Sequence, residues 1–142
     1  MNKYILYTDG GARGNPGPAA AGMVIYDSEG NLIKKFSSFL GSNLTNNQAE
    51  YQAVILGLGR IQKIVDDPKE LFTVVVEVRM DSELIVKQLK GNYRVKNTGL
   101  KPLFAKLWTL ISDFKEVQFR HVPRASNKEA DKLVNLELDK RS

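Results

Sequence analysis

The first forty residues alternate between apolar and polar positions. Lys3–Asp9, Ala20–Asp27 and Leu32–Leu40 each read as a strand. The second and third are joined by Ser28-Glu29-Gly30-Asn31, a polar turn of hairpin type, so the chain starts antiparallel. The period then changes. Thr45-Asn46-Asn47-Gln48 carries a capping-box signature, and Val54, Leu58, Ile61 and Val65 recur at helical spacing, predicting a helix to about Asp66. Leu71–Met80, with TVVVEV at its centre, is the most β-branched segment and predicts a central strand. Ser82–Lys90 reads as a short helix and Gly91–Gly99 as a basic loop. Lys101–Asp113 is a helix with Leu103, Leu107 and Leu110 on one face and Trp108 expected in the core. Val117–Val122 is a last strand. Ser126-Asn127-Lys128-Glu129 repeats the capping-box signature before a C-terminal helix. The order βββαβααβα predicts an α/β architecture: a five-stranded mixed sheet flanked by helices, in which a helical crossover makes parallel neighbours. No repeat, linker or low-complexity tract divides the chain, so residues 1–142 are expected to form a single domain.

Composition narrows the chemistry. No apolar run approaches the roughly 20 residues that a membrane span needs, so no membrane partner is expected. The N-terminus enters a strand pattern without a basic leader or apolar signal segment, which predicts a cytoplasmic product. Cysteine is absent, removing disulfides, thiol nucleophiles and thiolate-bound zinc, while His121 is the only histidine. Oxygen-liganded metals stay open. The net charge of +5 is unevenly spread: residues 1–70 hold seven basic and seven acidic side chains, residues 71–142 fourteen and nine. Between Glu83 and Asp113 no acid occurs, yet Lys87, Lys90, Arg94, Lys96, Lys101 and Lys106 fall there with Tyr93 among them. Such a segment suits a polyanion, with lysines meeting phosphates and a ring packing on a sugar or base, or else a solvated face that aids solubility.

Carboxylates collect where strands end. Asp9 closes the first predicted strand and Asp81 follows Leu71–Met80, so parallel neighbours would bring both to one sheet edge. Glu50 stands four residues before Val54 on the apolar stripe of its helix, and Asp131 shares a face with Val134 and Leu138. Singly, each has a plainer account: Asp9 and Asp81 as turn-formers, Glu50 and Asp131 as first-turn acids favoured by the helix dipole. Jointly, four acids aimed at one edge of an otherwise basic protein point to Mg²⁺ or Mn²⁺. Clustered carboxylates with bases nearby suit phosphoryl transfer by two divalent ions. A nucleotide-binding P-loop is set aside, because GGARGNPG lacks a Gly-Lys-Ser/Thr ending.

Four ordered segments, TDGGARGNPGPAAAG, TNNQAE, MDSELIVKQLKGNYRVKN and RHVPRASNKEADKL, cover most of the chain. Together they make it resemble type 1 ribonuclease H, in the short form without a basic protrusion. The resemblance implies a ribonuclease H-like fold and endonucleolytic cutting of the RNA strand of RNA–DNA hybrids, leaving 5′-phosphate and 3′-hydroxyl ends. It implies two magnesium ions, with manganese as a possible substitute, held by Asp9, Glu50, Asp81 and Asp131, of which Asp9 and Asp81 act most directly. His121, on the loop leading to the last helix, would move protons or assist product departure. Asn15, Asn46 and Asn47 match positions that read RNA 2′-hydroxyls, and Thr45 matches a DNA phosphate contact.

Two departures from the family pattern stand out. Glu83 replaces a glutamine whose amide would meet the minor groove, and the segment after the Asp81 helix offers only GNYRVKN with Tyr93. Two other functions share parts of this pattern. Integrases, transposases and junction-cutting nucleases use clustered acids but lack TNNQAE and RHVPR together. A third reading is a hybrid-binding module without catalysis, or a domain separated from a reverse transcriptase; intact acids at all four positions argue against a dead enzyme. A monomer is the simplest expectation.

Overall fold

In the computed structural model, which describes residues 2–91 and 98–141, the early alternation becomes a meander of β1 (Lys3–Ala12), β2 (Gly17–Asp27) and β3 (Leu32–Leu44). The β2–β3 turn is tied by Asp27, whose Oδ1 accepts the amides of Glu29 and Asn31, both at 2.9 Å. β1 runs past Asp9 because β2 begins earlier than expected and carries the antiparallel pairing out to Ala12↔Ala19. Asp9 therefore lies within β1 and not at its end.

α1 (Asn46–Val65) starts at the expected box: Thr45 Oγ1 accepts the Gln48 amide at 3.1 Å, and Gln48 Oε1 accepts the Thr45 amide at 2.9 Å. Its face bearing Tyr51, Val54, Leu58 and Ile61 is fully buried against the sheet. Asp66, in the left-handed conformation at φ 66°, ends it. A one-turn helix α2 (Pro68–Leu71) then occupies the start of the segment expected to be a strand, because Asp67 caps it and Pro68 favours a helical first turn. β4 is correspondingly shorter, Val75–Met80. α3 (Glu83–Leu89), α4 (Lys101–Ile111), β5 (Glu116–His121) and α5 (Lys128–Asp139) complete the order.

The sheet runs β3-β2-β1-β4-β5, with β1, β4 and β5 parallel. Leu6, Met23, Ile25, Val76, Val78 and Met80 form one core with α1, α3 and Leu107 of α4. α5 packs on the opposite face through Val134 and Leu138, against Ala20 and Phe39. It sits directly on β2: a Cβ on Gly22 would fall 2.2 Å from the Ala130 carbonyl oxygen. Elsewhere on the sheet the buried Glu77 is ringed by cations, Arg79 Nε at 2.5 Å, Lys3 Nζ at 3.7 Å and Arg120 Nη1 at 3.9 Å, while Arg79 also donates to the Tyr7 hydroxyl at 2.6 Å.

Two local expectations fail. Trp108 is 44% exposed and packs edge-on against Phe104 at 6.0 Å between ring centroids. α4 rests on α1 as an outer element, so only one line of its side chains, centred on Leu107, is enclosed. Ser126 does not cap the last helix. Arg124–Ser126 form a 3₁₀ turn, and Asn127 takes the capping position without a side-chain capping bond.

Candidate active site

The parallel pairing of β1 with β4 ends at Tyr7↔Arg79, and beyond that point Asp9 and Asp81 stand on adjacent strand continuations. The first turns of α1 add Glu50. Helix and strand come together this closely because Gly10 has no side chain: a Cβ there would sit 2.3 Å from the Ala49 carbonyl carbon and 2.5 Å from the Glu50 nitrogen. The Gly10 amide donates to Glu50 Oε1 at 2.5 Å, which fixes the direction of that carboxylate. One oxygen from each of Asp9, Glu50 and Asp81 lies within 4.8 Å of the others.

Asp9 is 8% exposed and Glu50 6%. Burial, with the charges of Asp81 and Asp131 adding to it, pushes the Asp9 carboxyl up to about 7. Burial and then the Asp9 charge push Glu50 well above the usual carboxylate range. Among the described residues no ion pair forms to Asp9, Glu50 or Asp81. A buried cluster of like charges with no cation of its own must hold protons or bind one. The donor set is all oxygen, which fits a hard divalent cation.

Asp131 comes from the first turn of α5 on the other face of the sheet. It is near enough for its charge to raise the Asp9 carboxyl, lies outside the tight group of three, and has Arg124 at 3.9 Å. All four acids line one cleft of about 500 Å³.

The asparagines form the adjoining wall. Asn46 and Asn47 line the cleft. The Asn46 Oδ1 accepts the Ala12 amide at 2.8 Å, and Asn15 Oδ1 accepts the Asn46 amide at 3.0 Å, so this group stitches the β1–β2 loop to the start of α1. Thr45 Oγ1 accepts the Gln48 amide as the cap, so a phosphate contact would use its hydroxyl proton as donor. His121 is the last residue of β5, paired with Met80, and not part of a loop; the strand continues through it because the β4 ladder does. It is exposed at the edge of this region, near enough to Glu83 to lower the Glu83 carboxyl, although Lys87 does so more strongly. Lys87 pairs with Glu83 at 2.9 Å, one helical turn away. Lys90 is exposed, while Tyr93, Arg94 and Lys96 lie outside the described residues.

Sequence reasoning did not single out Arg13, Arg124 and Asn135, which also line the cleft. Arg124 stands in the RHVPR run, where its motif was the available signal. Arg13 and Asn135 reach the site only because α5 docks there, and Arg13 is held by Asp139 at 2.6 Å.

The family model described as reverse transcriptase-like matches residues 7–137. A bifunctional protein of Mycobacterium tuberculosis is 37% identical over 96% of this chain and 36% of its own length. Ribonuclease HI of Halobacterium salinarum is 38% identical over 94% of this chain and 63% of its own. The chain thus spans about a third of the length of the first curated relatives it matches, and under two thirds of the halobacterial one. The crystal structure of a ribonuclease H1 isolated from compost by a metagenomic approach superposes with a TM-score of 0.90 at 48% identity, covering 99% of both chains. A second structure of that relative holds an RNA/DNA hybrid.

Proposed function

Because the chain belongs to the type 1 ribonuclease H family, we propose that it cuts the RNA strand of RNA–DNA hybrids at the Asp9–Glu50–Asp81 edge. The observation that carries this is the set of three carboxylate oxygens within 4.8 Å of one another, in a cleft walled by Asn46 and Asn47. Asp9, Glu50, Asp81 and Asp131 are the residues that would hold divalent ions, Mg²⁺ first and Mn²⁺ as substitute. When bound, two such ions supply the activation of water and the stabilisation of the departing oxygen in an in-line hydrolysis giving 5′-phosphate and 3′-hydroxyl ends.

The chain's own groups do the rest. Glu50, aimed by the Gly10 amide, presents a carboxylate oxygen beside those of Asp9 and Asp81. Asn46, tied to Ala12 and Asn15, and Asn47 beside it in the cleft wall would meet RNA 2′-hydroxyls, the group that separates RNA from DNA. Thr45 adds a phosphate contact. His121, exposed beside the cleft, moves a proton or helps product leave. Lys87 of α3, and Lys90, Tyr93, Arg94 and Lys96 in the sequence that follows it, bind the hybrid through its phosphates and sugars.

The same proposal has residues 1–142 acting as one domain, as a cytoplasmic monomer. No described helix is long and apolar enough to cross a membrane.

A labelled-substrate assay with Mg²⁺, comparing RNA–DNA, RNA–RNA and DNA–DNA duplexes with single-stranded RNA, tests the assignment. Cutting confined to the RNA of the hybrid is expected. Preferential cutting of DNA duplexes would move the protein to the integrase-like alternative, and binding without cutting would make it a hybrid-binding module.

A further inference from the structure

We infer that Asn127 is a positioning residue that sets the fourth carboxylate, Asp131, against Asp9, and through it the affinity of the site for divalent cations. The inference rests on the metal-holding role proposed for the four acids. Asn127 is 1% exposed and lies where the chain returns from β5 to begin α5. The β1–β4 pairing stops at Tyr7↔Arg79, and the next carbonyl on β1, that of Thr8, is met by Asn127 Nδ2 at 2.8 Å. Thr8 immediately precedes Asp9. On its other side, the Asn127 carbonyl accepts the Asp131 amide at 3.1 Å and so starts the first turn of α5. One buried residue therefore links the strand carrying Asp9 to the helix carrying Asp131, across 119 positions of sequence.

The bond is retained at a cost. The position caps α5, where an asparagine side chain would ordinarily bond the free helix amides, yet this side chain makes no such bond. Its Oδ1 is buried with no partner, as is the Thr8 hydroxyl. A buried amide that gives up a cap and leaves its acceptor unpaired is explained if the donor's placement matters more than local helix stability. Groups of this kind, which hold ligands without touching metal, typically change metal affinity about 10–100-fold when removed.

The test is calorimetric titration of the folded, substrate-free protein with Mn²⁺, backed by the rise in melting temperature that Mn²⁺ produces. The wild-type protein and Asp9→Asn establish the site: wild-type binding that Asp9→Asn leaves unchanged defeats the proposed function itself. Given a wild-type signal that Asp9→Asn abolishes, Asn127→Ala should raise the Mn²⁺ midpoint at least about 10-fold. Asn127→Ser, which keeps a smaller polar side chain, should do the same and serves if the alanine variant does not fold. Leu107→Ala, a core truncation in α4, should lower the melting temperature while leaving the Mn²⁺ midpoint unchanged. An unshifted midpoint in the Asn127 variants, or an equal shift in Leu107→Ala, overturns the inference and makes Asn127 a packing residue only.

Discussion

Gly10 and Ala49 touch through bare backbone, with room for no atom beyond the glycine's own: an added Cβ would lie 2.3 Å from the Ala49 carbonyl. Gly10→Ala is therefore expected to destabilise the protein by about 1–3 kcal/mol, as forced overpacking does, and to displace Glu50. Gly59, in the same helix α1, has nothing within 4 Å of its would-be Cβ. Gly59→Ala should stabilise by roughly 0.5–1 kcal/mol. Urea melts of the two variants should move in opposite directions; if both move the same way, the close approach of α1 to β1 is not as described.

Asp9→Asn should lower the rate of hybrid cleavage by at least about two orders of magnitude. In the metal-free protein at pH 8 the same substitution should raise the melting temperature, because it removes one of the mutually repelling buried charges. Undiminished cutting by Asp9→Asn would sink the site assignment.

The pH dependence of stability follows from the same cluster. Asp9 rises from an ordinary value of 3.8 to about 7 in the folded protein, and Glu50 is raised as well. Between those limits the folded chain binds protons that the unfolded chain has released, so stability falls as pH increases. The metal-free protein should melt at a higher temperature at pH 5.5 than at pH 8, and saturating Mg²⁺ should flatten that slope. Asp27 and Glu77 are shifted the other way, by hydrogen bonds from Asn31 and by Arg79 respectively. Their contributions are present above the normal carboxylate range and are lost only on stronger acidification, so they do not mask the effect. A metal-free melting temperature that climbs from pH 5.5 to pH 8 would contradict this.

His121→Ala is expected to slow turnover roughly 10²-fold, at the low end of general acid–base contributions, and by less than Asp9→Asn. Its exposed place on β5 predicts little change in melting temperature. Loss of activity equal to that of Asp9→Asn would make His121 indispensable.

Replacing Lys90, Arg94 and Lys96 together by glutamine should weaken hybrid binding and flatten its dependence on salt, by about 0.9 in log–log slope for each phosphate contact removed. Lys87→Gln alone should do less, since Lys87 already pairs with Glu83 at 2.9 Å. A salt slope that does not change would leave these cations as a solvated face.

The acids were legible because their placement follows from short-range rules. Strand order put Asp9 and Asp81 on parallel neighbours, and helical spacing put Glu50 on the buried stripe; the pairing of β1 with β4 and the burial of Glu50 agree. What could not be seen was decided by partners far away in sequence. The SNKE run looks like a capping box, but Asn127 is claimed by Thr8 and the box never forms. Periodicity gave α4 an apolar face without saying that the helix rests mainly on α1 at the outside of the molecule, where Trp108 stays 44% exposed. In sequence Lys87 stood only among the cations of a basic segment; the 2.9 Å contact with Glu83 partly withdraws it from any polyanion.

The sheet contains a second buried acid, Glu77, which has its own resident counterions in Arg79, Lys3 and Arg120. The molecule thus contains an internal contrast: one carboxylate neutralised permanently by the chain, and one group left with its charge deficit for the solvent to fill. That difference leaves the unbalanced negative charge of the sheet at the edge where Asp9 stands, and not at Glu77. With Lys3 and Arg120 beside it as well as Arg79, Glu77 has no charge left over to offer a cation, and the two carboxylates of one sheet differ in kind: one closed, one open.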